Sequence, residues 1–347
     1  MTGNIVLTDG FDMYNGANAG TGLPVRWSIA NSTYGVTGGR FGGQCMQMNG
    51  TSGGAGTIQT PGSQDIKAAA IFDGSGTTTA MAIGFAFQLG SNRLDAVMDM
   101  QTAGGTQLFS WGVSATGQII ICTAAGGTVF TSAAGLVSAG TWYYAEIEAT
   151  MNTSTGTINF YLGGTSLCTL TGLNTGSGAG LVQMRVFGGG SVPRYVDDLY
   201  VVTGASTRLG ESRIETLRPN ADSAVTWTPN SGTNNYSRVN ETQVDGDTSY
   251  VQTSTLGNLD LYGSGGLSST PANIWAANVV AFAEKTDATA RNLYNSVKSG
   301  ATSSDGTAKP LLASYSRYDR ILMTDPNTSA AWSASGVNNL LFGPKAA

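Results

Sequence analysis

The stretch Met81-Ala82-Ile83-Gly84-Phe85-Ala86-Phe87-Gln88-Leu89 decides the fold class. Large apolar side chains occupy every second position, and small or polar residues lie between them. Because successive side chains of a strand point to opposite faces, this alternation predicts a strand with one face against a core. Similar runs, separated by glycine-rich turns, follow at 96–100, 107–113, 118–123, 142–151, 157–162, 181–187 and 195–202. Strands at this spacing predict an all-β protein built as a β-sandwich or jelly roll.

The composition agrees with a folded, turn-rich β-protein. The chain has 347 residues, of which 49 are glycine, 41% are hydrophobic and 11% are charged. A disordered chain would contain fewer aromatic residues and more charge, and a coiled coil would contain far more Glu, Lys and Leu. A length of 347 residues predicts about two domains.

A change in charge density marks a domain boundary near residue 204. Charged residues are about twice as frequent in 205–347 as in 1–204. We therefore predict a jelly-roll β-sandwich over 1–204 and a second, smaller β-sandwich-like module over 205–347. Within the second module, Ser333–Leu341 is predicted to form a short helix with Ser333 as its N-cap.

Several classes of function are excluded by what the chain lacks. It contains no histidine, which removes Ser-His-Asp and Cys-His catalysis and His-ligated zinc. Its net charge of −5, without basic runs, predicts no nucleic-acid partner. No apolar stretch is long enough to span a bilayer, so we expect no membrane insertion. Three widely separated cysteines predict reduced core thiols: Cys45, Cys122 and Cys168.

Five motifs of the first 204 residues, taken in order, resemble the concanavalin A-like, laminin-G-like jelly-roll domain. They are Asp9-Gly10-Phe11-Asp12-Met13-Tyr14, then Arg26-Trp27, then Gly38 to Gln44, then Gly140 to Glu148 together with Gly156 to Gly164 as one motif, and finally the closing Tyr195 to Val201. The resemblance implies a jelly roll whose last strand is formed by the Tyr195 segment.

The second part of the chain resembles a module of tailed-bacteriophage virion proteins that follows such a jelly roll. The residues of this resemblance are Leu209 to Pro219, Trp227-Thr228-Pro229 with Asn234-Asn235-Tyr236, Asp245 to Val251, and Asp325 to Trp332. It implies a non-enzymatic structural component of the virion on the tail, its fibres or the capsid. The implied partners are other virion proteins, copies of the chain itself in a symmetric assembly, and host surface glycan.

The N-terminal sequence agrees with a virion location. Met1–Leu7 lacks the basic and apolar regions of a signal peptide, so we expect synthesis in the bacterial cytoplasm and release by lysis. Two alternatives to a tail or fibre protein stay open. One is a capsid decoration, or cement, protein without receptor binding. The other is a jelly-roll glycoside hydrolase that uses Glu146 and Glu148, which share one strand face about 7 Å apart.

Two sets of residues are candidates for ligand binding, whereas no organic cofactor is expected. If the first and last strands of the jelly roll pair, four aspartates come together, and carboxylate oxygens suit calcium: Asp9, Asp12, Asp197 and Asp198. Turn aspartates that accept hydrogen bonds from backbone amides are the alternative. Three aromatic residues are candidates for stacking on a glycan: Trp27, Trp111 and Tyr144. Core packing between the sheets is the alternative for them.

Overall fold

The computed structural model describes residues 3–14, 33–49, 70–71, 79–91, 95–102, 106–123, 127–176, 182–186 and 193–347. The chain divides into two compact units. The first comprises Met1–Asp12 and Gly16–Ile214, and the second comprises Met13–Asn15 and Glu215–Ala347. The predicted all-β sandwich class is confirmed. The domain boundary at residue 204 stays a prediction, and residues 205–214 pack with the first unit.

Two antiparallel sheets form the first unit. Its strands are β1 (Asn4–Asp9), β2 (Thr33–Gly38), β3 (Gln44–Asn49), β4 (Ala70–Ile71), β5 (Ala80–Leu89), β6 (Asp95–Thr102), β7 (Gln107–Val113), β8 (Ile119–Thr123), β9 (Thr128–Thr131), β10 (Tyr143–Thr150), β11 (Gly156–Leu162), β12 (Thr165–Leu173), β13 (Val182–Val186) and β14 (Arg194–Thr203). The first sheet has the order β12-β11-β10-β5-β14-β3-β2, with β1 paired to β14. The second sheet has the order β4-β13-β6-β7-β8-β9.

An aromatic cluster joins the two sheets. Phe85 and Phe87 project from β5 and Phe160 from β11, all in the first sheet, and they meet Trp111 of the second sheet. The Trp111 ring lies 4.9 Å from the Phe160 ring and 5.3 Å from the Phe87 ring, between centroids, and both pairs are edge-to-face. All four side chains are buried. The alternation along β5 therefore points its large side chains into the sandwich, as the sequence predicts.

The other face of β5 carries small side chains because the ring of a neighbouring tyrosine lies against it. Gly84 pairs with Tyr200 of β14 on one side and with Glu146 of β10 on the other. A Cβ atom at Gly84 would clash with the ring of Tyr200. The small residues of β5 thus make room for Tyr200 on the face directed away from the core.

The second unit contains one six-stranded sheet and two strand pairs. Its strands are β15 (Pro219–Ala224), β16 (Thr228–Pro229), β17 (Val251–Gln252), β18 (Leu261–Ser264), β19 (Ala277–Ala283), β20 (Asn292–Ser299), β21 (Thr302–Ser304), β22 (Lys309–Pro310), β23 (Ser316–Leu322) and β24 (Leu341–Ala346), with 3-10 helices at Tyr236–Arg238 and Gly246–Thr248. The larger sheet has the order β15-β18-β24-β20-β21, with β22 also paired to β20. Strands β16 and β17 form one pair, and β19 and β23 form the other.

The helix predicted near the C-terminus is present and shorter than expected. Helix α1 (Ala334–Asn338) begins after Ser333, whose hydroxyl oxygen accepts a hydrogen bond from the Gly336 amide at 3.0 Å. Leu341 starts β24 instead of continuing the helix. Val337 of α1 packs in a core with Val279, Val297, Trp332 and Leu340. Within the described residues, no helix has the length and apolar character needed to cross a membrane.

The cysteines are free thiols, as predicted from their spacing. Cys45 and Cys122 are buried, whereas Cys168 on β12 is half-buried. Burial raises the pKa of the Cys122 and Cys168 thiols, which keeps both protonated at neutral pH.

A buried aspartate organises the loops of the second unit. Asp260 is fully buried, and its Oδ1 accepts hydrogen bonds from the Thr226 and Trp227 amides at 2.7 and 2.9 Å. Its Oδ2 accepts hydrogen bonds from the Asn235 side-chain amide and the Tyr262 hydroxyl, both at 2.7 Å. One carboxylate therefore fixes two loops against β18.

We expect Asp260→Ala to lower the free energy of unfolding by about 3 kcal/mol or more, because four donors lose their acceptor and a buried site is left unsatisfied. Chemical denaturation followed by tryptophan fluorescence measures the change. Asp287→Ala is the control, since Asp287 forms an exposed ion pair with Arg291 and its removal should leave stability near wild type. Equal stability of the two variants would contradict the role given to Asp260.

Candidate functional site

The carboxylate pair of the hydrolase alternative lies on the outward face of the first sheet, away from the core. Glu146 is fully buried, and its Oε1 accepts hydrogen bonds from the Tyr200 hydroxyl at 2.7 Å and the Gly210 amide at 2.8 Å. Its Oε2 pairs with the Arg208 guanidinium at 2.7 Å. Both oxygens are therefore engaged by residues of this chain, and Glu146 has no surface open to a substrate.

Glu148 is engaged in a similar way. Its Oε1 accepts a hydrogen bond from the Arg208 amide at 3.0 Å. Its Oε2 accepts hydrogen bonds from the Tyr161 hydroxyl at 3.0 Å and the Asn159 side chain at 3.2 Å. The Arg208 guanidinium in turn lies 4.1 Å from the centre of the Tyr161 ring. The two glutamates thus bind the segment of residues 205–214 over the sheet, which is a structural role.

The four aspartates proposed as calcium ligands lie near the middle of strand β14. Strands β1 and β14 pair, with Asp9 opposite Leu199, next to Asp197 and Asp198. Asp198 has a positive φ of 52°, at an irregularity in the pairing of β14 with β5. Asp12 is also near, since its charge contributes to raising the pKa of Asp197. The structure therefore brings the predicted residues together.

Backbone amides occupy the oxygens of these aspartates. The amide of Phe11 donates to Asp9 at 3.0 Å, and that of Gln44 donates to Asp12 at 2.7 Å. Asp197 accepts hydrogen bonds from the Arg40 and Asp198 amides at 2.9 and 2.8 Å. Asp198 accepts one from the Ile214 amide at 2.7 Å and faces the Arg40 guanidinium at 3.5 Å. No group of three or more acidic or thiol ligands arranged for a metal ion occurs among the described residues. The geometry matches the turn aspartates considered as the alternative, and calcium binding stays a prediction.

The buried position of Asp197 and Asp198 changes their acidity. Desolvation, together with the charge of Asp198, raises the pKa of Asp197 to about 7. Desolvation also raises the pKa of Asp198 to about 6, although the Ile214 amide and Arg40 oppose the change. Both carboxyl groups therefore take up protons in the folded protein at a pH where they are ionised in the unfolded chain.

The aromatic residues proposed to face a glycan are not exposed where the structure describes them. Trp111 is fully buried in the aromatic cluster between the sheets. Tyr144 is also buried, and its hydroxyl donates a hydrogen bond to the Asp198 carbonyl at 3.1 Å. Trp27 lies outside the described residues. Sugar stacking needs an accessible ring face, which Trp111 and Tyr144 do not offer.

A different set of polar residues lies on the outward face of the second sheet. Met98, Met100, Phe109 and Trp111 alternate with polar residues along β6 and β7. Since Trp111 points into the core, the alternating Asp99 and Ser110 lie on the opposite face. Residues opposite each other on adjacent strands share a face, so the register defines two polar rows. The first row is Asp99 and Ser110, and the second is Gln101 and Gln107.

Hydrogen bonds link residues within this face. The Gln101 amide group donates to Asp99 Oδ2 at 3.0 Å, and the Gln107 amide group donates to Ser110 Oγ at 3.0 Å. Asp99 and Ser110 are fully buried and Gln101 is 5% exposed, although they lie on the side away from the core. Gln107 is half-buried. The face therefore holds buried carboxylate, hydroxyl and amide groups with Gln107 half-buried beside them, whereas polar side chains on the outer side of a sandwich are normally solvated.

The sequence contains a pattern that corresponds to these rows, although neither the carboxylate pair nor the candidate aromatic residues belong to it. Each of the segments Met98-Asp99-Met100-Gln101, Phe109-Ser110-Trp111 and Gln183-Met184-Arg185 alternates large apolar with polar residues. The polar half of such a pattern is usually read as a solvated face. Only the register shows that the polar residues of β6 and β7 align.

The chain has distant similarity to several solved structures. No family model and no curated protein matches the chain. Among solved structures, an endo-β-1,4-glucuronan lyase from Trichoderma reesei matches at 15% identity over 55% of this chain and 94% of its own, with a TM-score of 0.38. Domain 4 of a family 43 arabinanase from Geobacillus stearothermophilus matches at 13% identity over 60% and 96%, with a TM-score of 0.39. The alginate lyase AlgAT5, of polysaccharide lyase family 7, matches at 12% identity over 49% and 82%, with a TM-score of 0.36.

The sandwich architecture is given by the two sheets described above, and the matches run counter to the predicted function. The prediction of a non-enzymatic structural component of a tailed-phage virion is contradicted, because the matched structures are polysaccharide lyases and a glycoside hydrolase domain. No phage protein stands among the structures named above. The prediction that the chain has no enzymatic activity is contradicted by the same matches. The virion location and the virion partners stay predictions without support from these comparisons.

The ion pair of buried Glu146 with Arg208 predicts that even a conservative substitution of Glu146 strongly lowers the stability of the fold. Glu146→Gln should lower the free energy of unfolding by about 3 kcal/mol for two reasons. The Arg208 guanidinium loses its counter-charge, and the new side-chain NH2 group, itself a donor, faces at least one of the three groups that donate hydrogen bonds to Glu146. Urea denaturation measures the change. Glu211→Gln is the matched control: Glu211 lies in the same segment, is 45% exposed and pairs with Arg40, so its loss should cost less than about 1 kcal/mol. Equal costs would show that Glu146 does not bind the segment.

The raised pKa values of Asp197 and Asp198 predict a stability that falls with rising pH. Between the unfolded pKa near 4 and the folded values of about 6 and 7, the folded state binds more protons than the unfolded state. Each carboxyl group then lowers the free energy of unfolding by about 1.4 kcal/mol per pH unit. Denaturation of wild type and of Asp197→Asn between pH 5 and pH 8, at about unit intervals, isolates the effect of Asp197. The difference between the two proteins should change with pH, and a constant difference would contradict the prediction.

Proposed function

We propose that this protein is a carbohydrate-active jelly-roll protein that binds a polysaccharide chain at the outward face of its second sheet, beside Gln107. The single observation that supports the proposal is the position of Gln107 at the start of β7, where its side chain is half-buried and donates a hydrogen bond to Ser110 Oγ at 3.0 Å. Sugar hydroxyl groups both donate and accept hydrogen bonds. The side-chain amide of Gln107 offers both kinds of partner in a fixed position.

The spacing of the polar groups suits a single sugar unit. Each row crosses strands β6 and β7, which lie about 4.8 Å apart. The two rows lie about 7 Å apart along the strands. The internal hydrogen bonds from Gln101 to Asp99 and from Gln107 to Ser110 hold the polar groups in place before a ligand arrives, which lowers the entropic cost of binding.

The outward face of the first sheet is a poorer candidate. Glu146 and Glu148, the pair of the hydrolase alternative, are occupied by Arg208, Gly210, Tyr161 and Asn159. Catalysis by this pair would require residues 205–214 to leave the sheet. We therefore assign binding to the second sheet and test cleavage there.

The test uses the full chain with glucuronan, alginate and arabinan, the polymers suggested by the matched structures. Calorimetry measures binding. New reducing ends report hydrolysis, in which water is added across the glycosidic bond. Ultraviolet absorbance of an unsaturated uronate reports elimination, in which a base removes the C5 proton, the electrons of that C–H bond form a double bond between C4 and C5, and the oxygen on C4 leaves with its bonding electrons. Binding of at least one polymer and release of one kind of product are the expected results.

Two glutamine substitutions localise the site. Gln107→Ala should weaken binding about tenfold, which corresponds to one hydrogen bond of about 1.4 kcal/mol. Gln88→Ala is the matched control, because Gln88 is half-buried on the first sheet and donates its amide to the Gly140 carbonyl. Glu148→Gln tests the other sheet. Equal affinity of Gln107→Ala and wild type, or loss of activity only in Glu148→Gln, would overturn the assignment, as would the absence of binding to all three polymers.

A further inference from the structure

Two half-buried aromatic side chains, Trp142 and Tyr195, meet on the outward face of the first sheet, and we call them the surface pair. Tyr143 pairs with the buried Phe87 of β5, so Trp142, the residue before it, points away from the core. Tyr195 of β14 pairs with Gln88, which lies on the same outward side of β5. Strands β10 and β14 both neighbour β5 and therefore lie about 10 Å apart. The ring centroids are 6.4 Å apart with 57° between the planes, so the rings lean towards each other across β5.

Each ring of the surface pair carries a polar group that no described residue engages. The Trp142 indole N–H and the Tyr195 hydroxyl form no hydrogen bond within the part of the chain that the structure describes. By contrast, the Trp332 indole N–H donates to the Leu322 carbonyl at 2.8 Å. The surface pair therefore offers one N–H donor, and one hydroxyl that both donates and accepts, beside two apolar ring surfaces.

Other aromatic rings at the surface of the first unit are covered by arginine side chains. The Arg208 guanidinium lies 4.1 Å from the centre of the Tyr161 ring, and the Arg40 guanidinium lies 4.7 Å from that of Phe41. Among the described residues, no cationic group is recorded over either ring of the surface pair. The hydrogen bonds that hold residues 205–214 on this sheet go to other side chains. The surface pair therefore keeps its exposed ring surface available to a ligand.

We propose that the surface pair binds an uncharged sugar unit of a polysaccharide, at a second site on the opposite side of the sandwich from Gln107. The C–H groups of a pyranose ring pack on aromatic faces, and its hydroxyl groups hydrogen-bond to the indole N–H and the phenol. Gln88 lies between the two rings and donates its side-chain amide to the Gly140 carbonyl at 3.0 Å. The rings therefore supply the contacts to the sugar, and Gln88 supports them from below.

The charge around the surface pair selects an uncharged sugar over an acidic one. The residues that align across β5, β14 and β3 in this row are Gln88, Tyr195 and Gln47, and none of them is charged. An acidic sugar would therefore find no counter-charge in the row. The net charge of the chain is −5, so a polyanion is also repelled at longer range.

The site is tested by nuclear magnetic resonance of the indole N–H groups in the full chain while cellohexaose, an uncharged β-1,4-linked glucose oligomer, is added. Trp142→Phe identifies the Trp142 signal by its loss, and Trp275→Phe identifies the Trp275 signal. The Trp142 signal should shift and reach saturation. Trp275 is the matched control, because it is 39% exposed but has no aromatic ring recorded beside it among the described residues. An unmoved Trp142 signal, or an equal shift of the Trp275 signal, would overturn the proposal.

Calorimetry with the same oligomer separates stacking from a structural role. Tyr195→Ala should weaken binding about tenfold through the loss of one aromatic contact. Tyr195→Phe keeps the ring and should stay within about threefold of wild type. Circular dichroism must show that Tyr195→Ala is folded, and the titration of wild type tests the site without that variant. Equal affinity of Tyr195→Ala and wild type would overturn the proposal.

The selection by charge is tested with a β-1,4-glucuronan oligomer of the same length as cellohexaose. Its backbone linkage is the same, but each unit carries a carboxylate. It should bind to the surface pair more weakly than cellohexaose, and equal or tighter binding would overturn the assignment of an uncharged sugar.

These results are independent of the site beside Gln107, because the Trp142 signal reports on the first sheet. A shift of that signal, together with equal polysaccharide affinity of Gln107→Ala and wild type, would support the surface pair and overturn the proposed function. An unmoved Trp142 signal, together with weaker binding by Gln107→Ala, would do the reverse.

Discussion

The central strand β5 satisfies two different packing requirements at once. On one face, Phe85 and Phe87 fill the space between the sheets against Trp111. On the other face, Gly84 leaves room for the Tyr200 ring. Tyr200 then links Glu146 to the Leu209 amide through its hydroxyl, at 2.7 and 3.0 Å. The aromatic core and the attachment of residues 205–214 thus depend on the same alternation of large and small residues in one strand.

This dependence explains why part of the structure could be predicted from the sequence. A period of two is a local property, so the strands of the jelly roll and the core position of Phe85 follow from inspection. The Ser333 cap is also local, since a side-chain oxygen acts on an amide three residues later. The pairing of first and last strands was a conditional expectation, and it brings Asp9 near Asp197.

The candidate sites were harder to predict because their chemistry depends on contacts distant in sequence. Glu146 and Glu148 have the spacing of a catalytic pair, yet their partners are the Arg208 and Gly210 amides and the Arg208 guanidinium, about sixty residues later. The sequence makes Trp111 and Tyr144 candidates for stacking on a sugar, but both side chains are buried in the folded protein. The polar rows require the register of β6 and β7, which a single sequence does not contain.

The low charge of the first unit has a structural explanation that does not require a crowded assembly. Six of its charged residues are at least nine-tenths buried: Asp9, Asp99, Glu146, Arg194, Asp197 and Asp198. Burying a charge is costly unless it is paired or hydrogen-bonded. Backbone amides bind Asp9, Asp197 and Asp198, and the Tyr200 hydroxyl binds Glu146. Charge in this unit therefore serves mainly to fix turns and the segment 205–214.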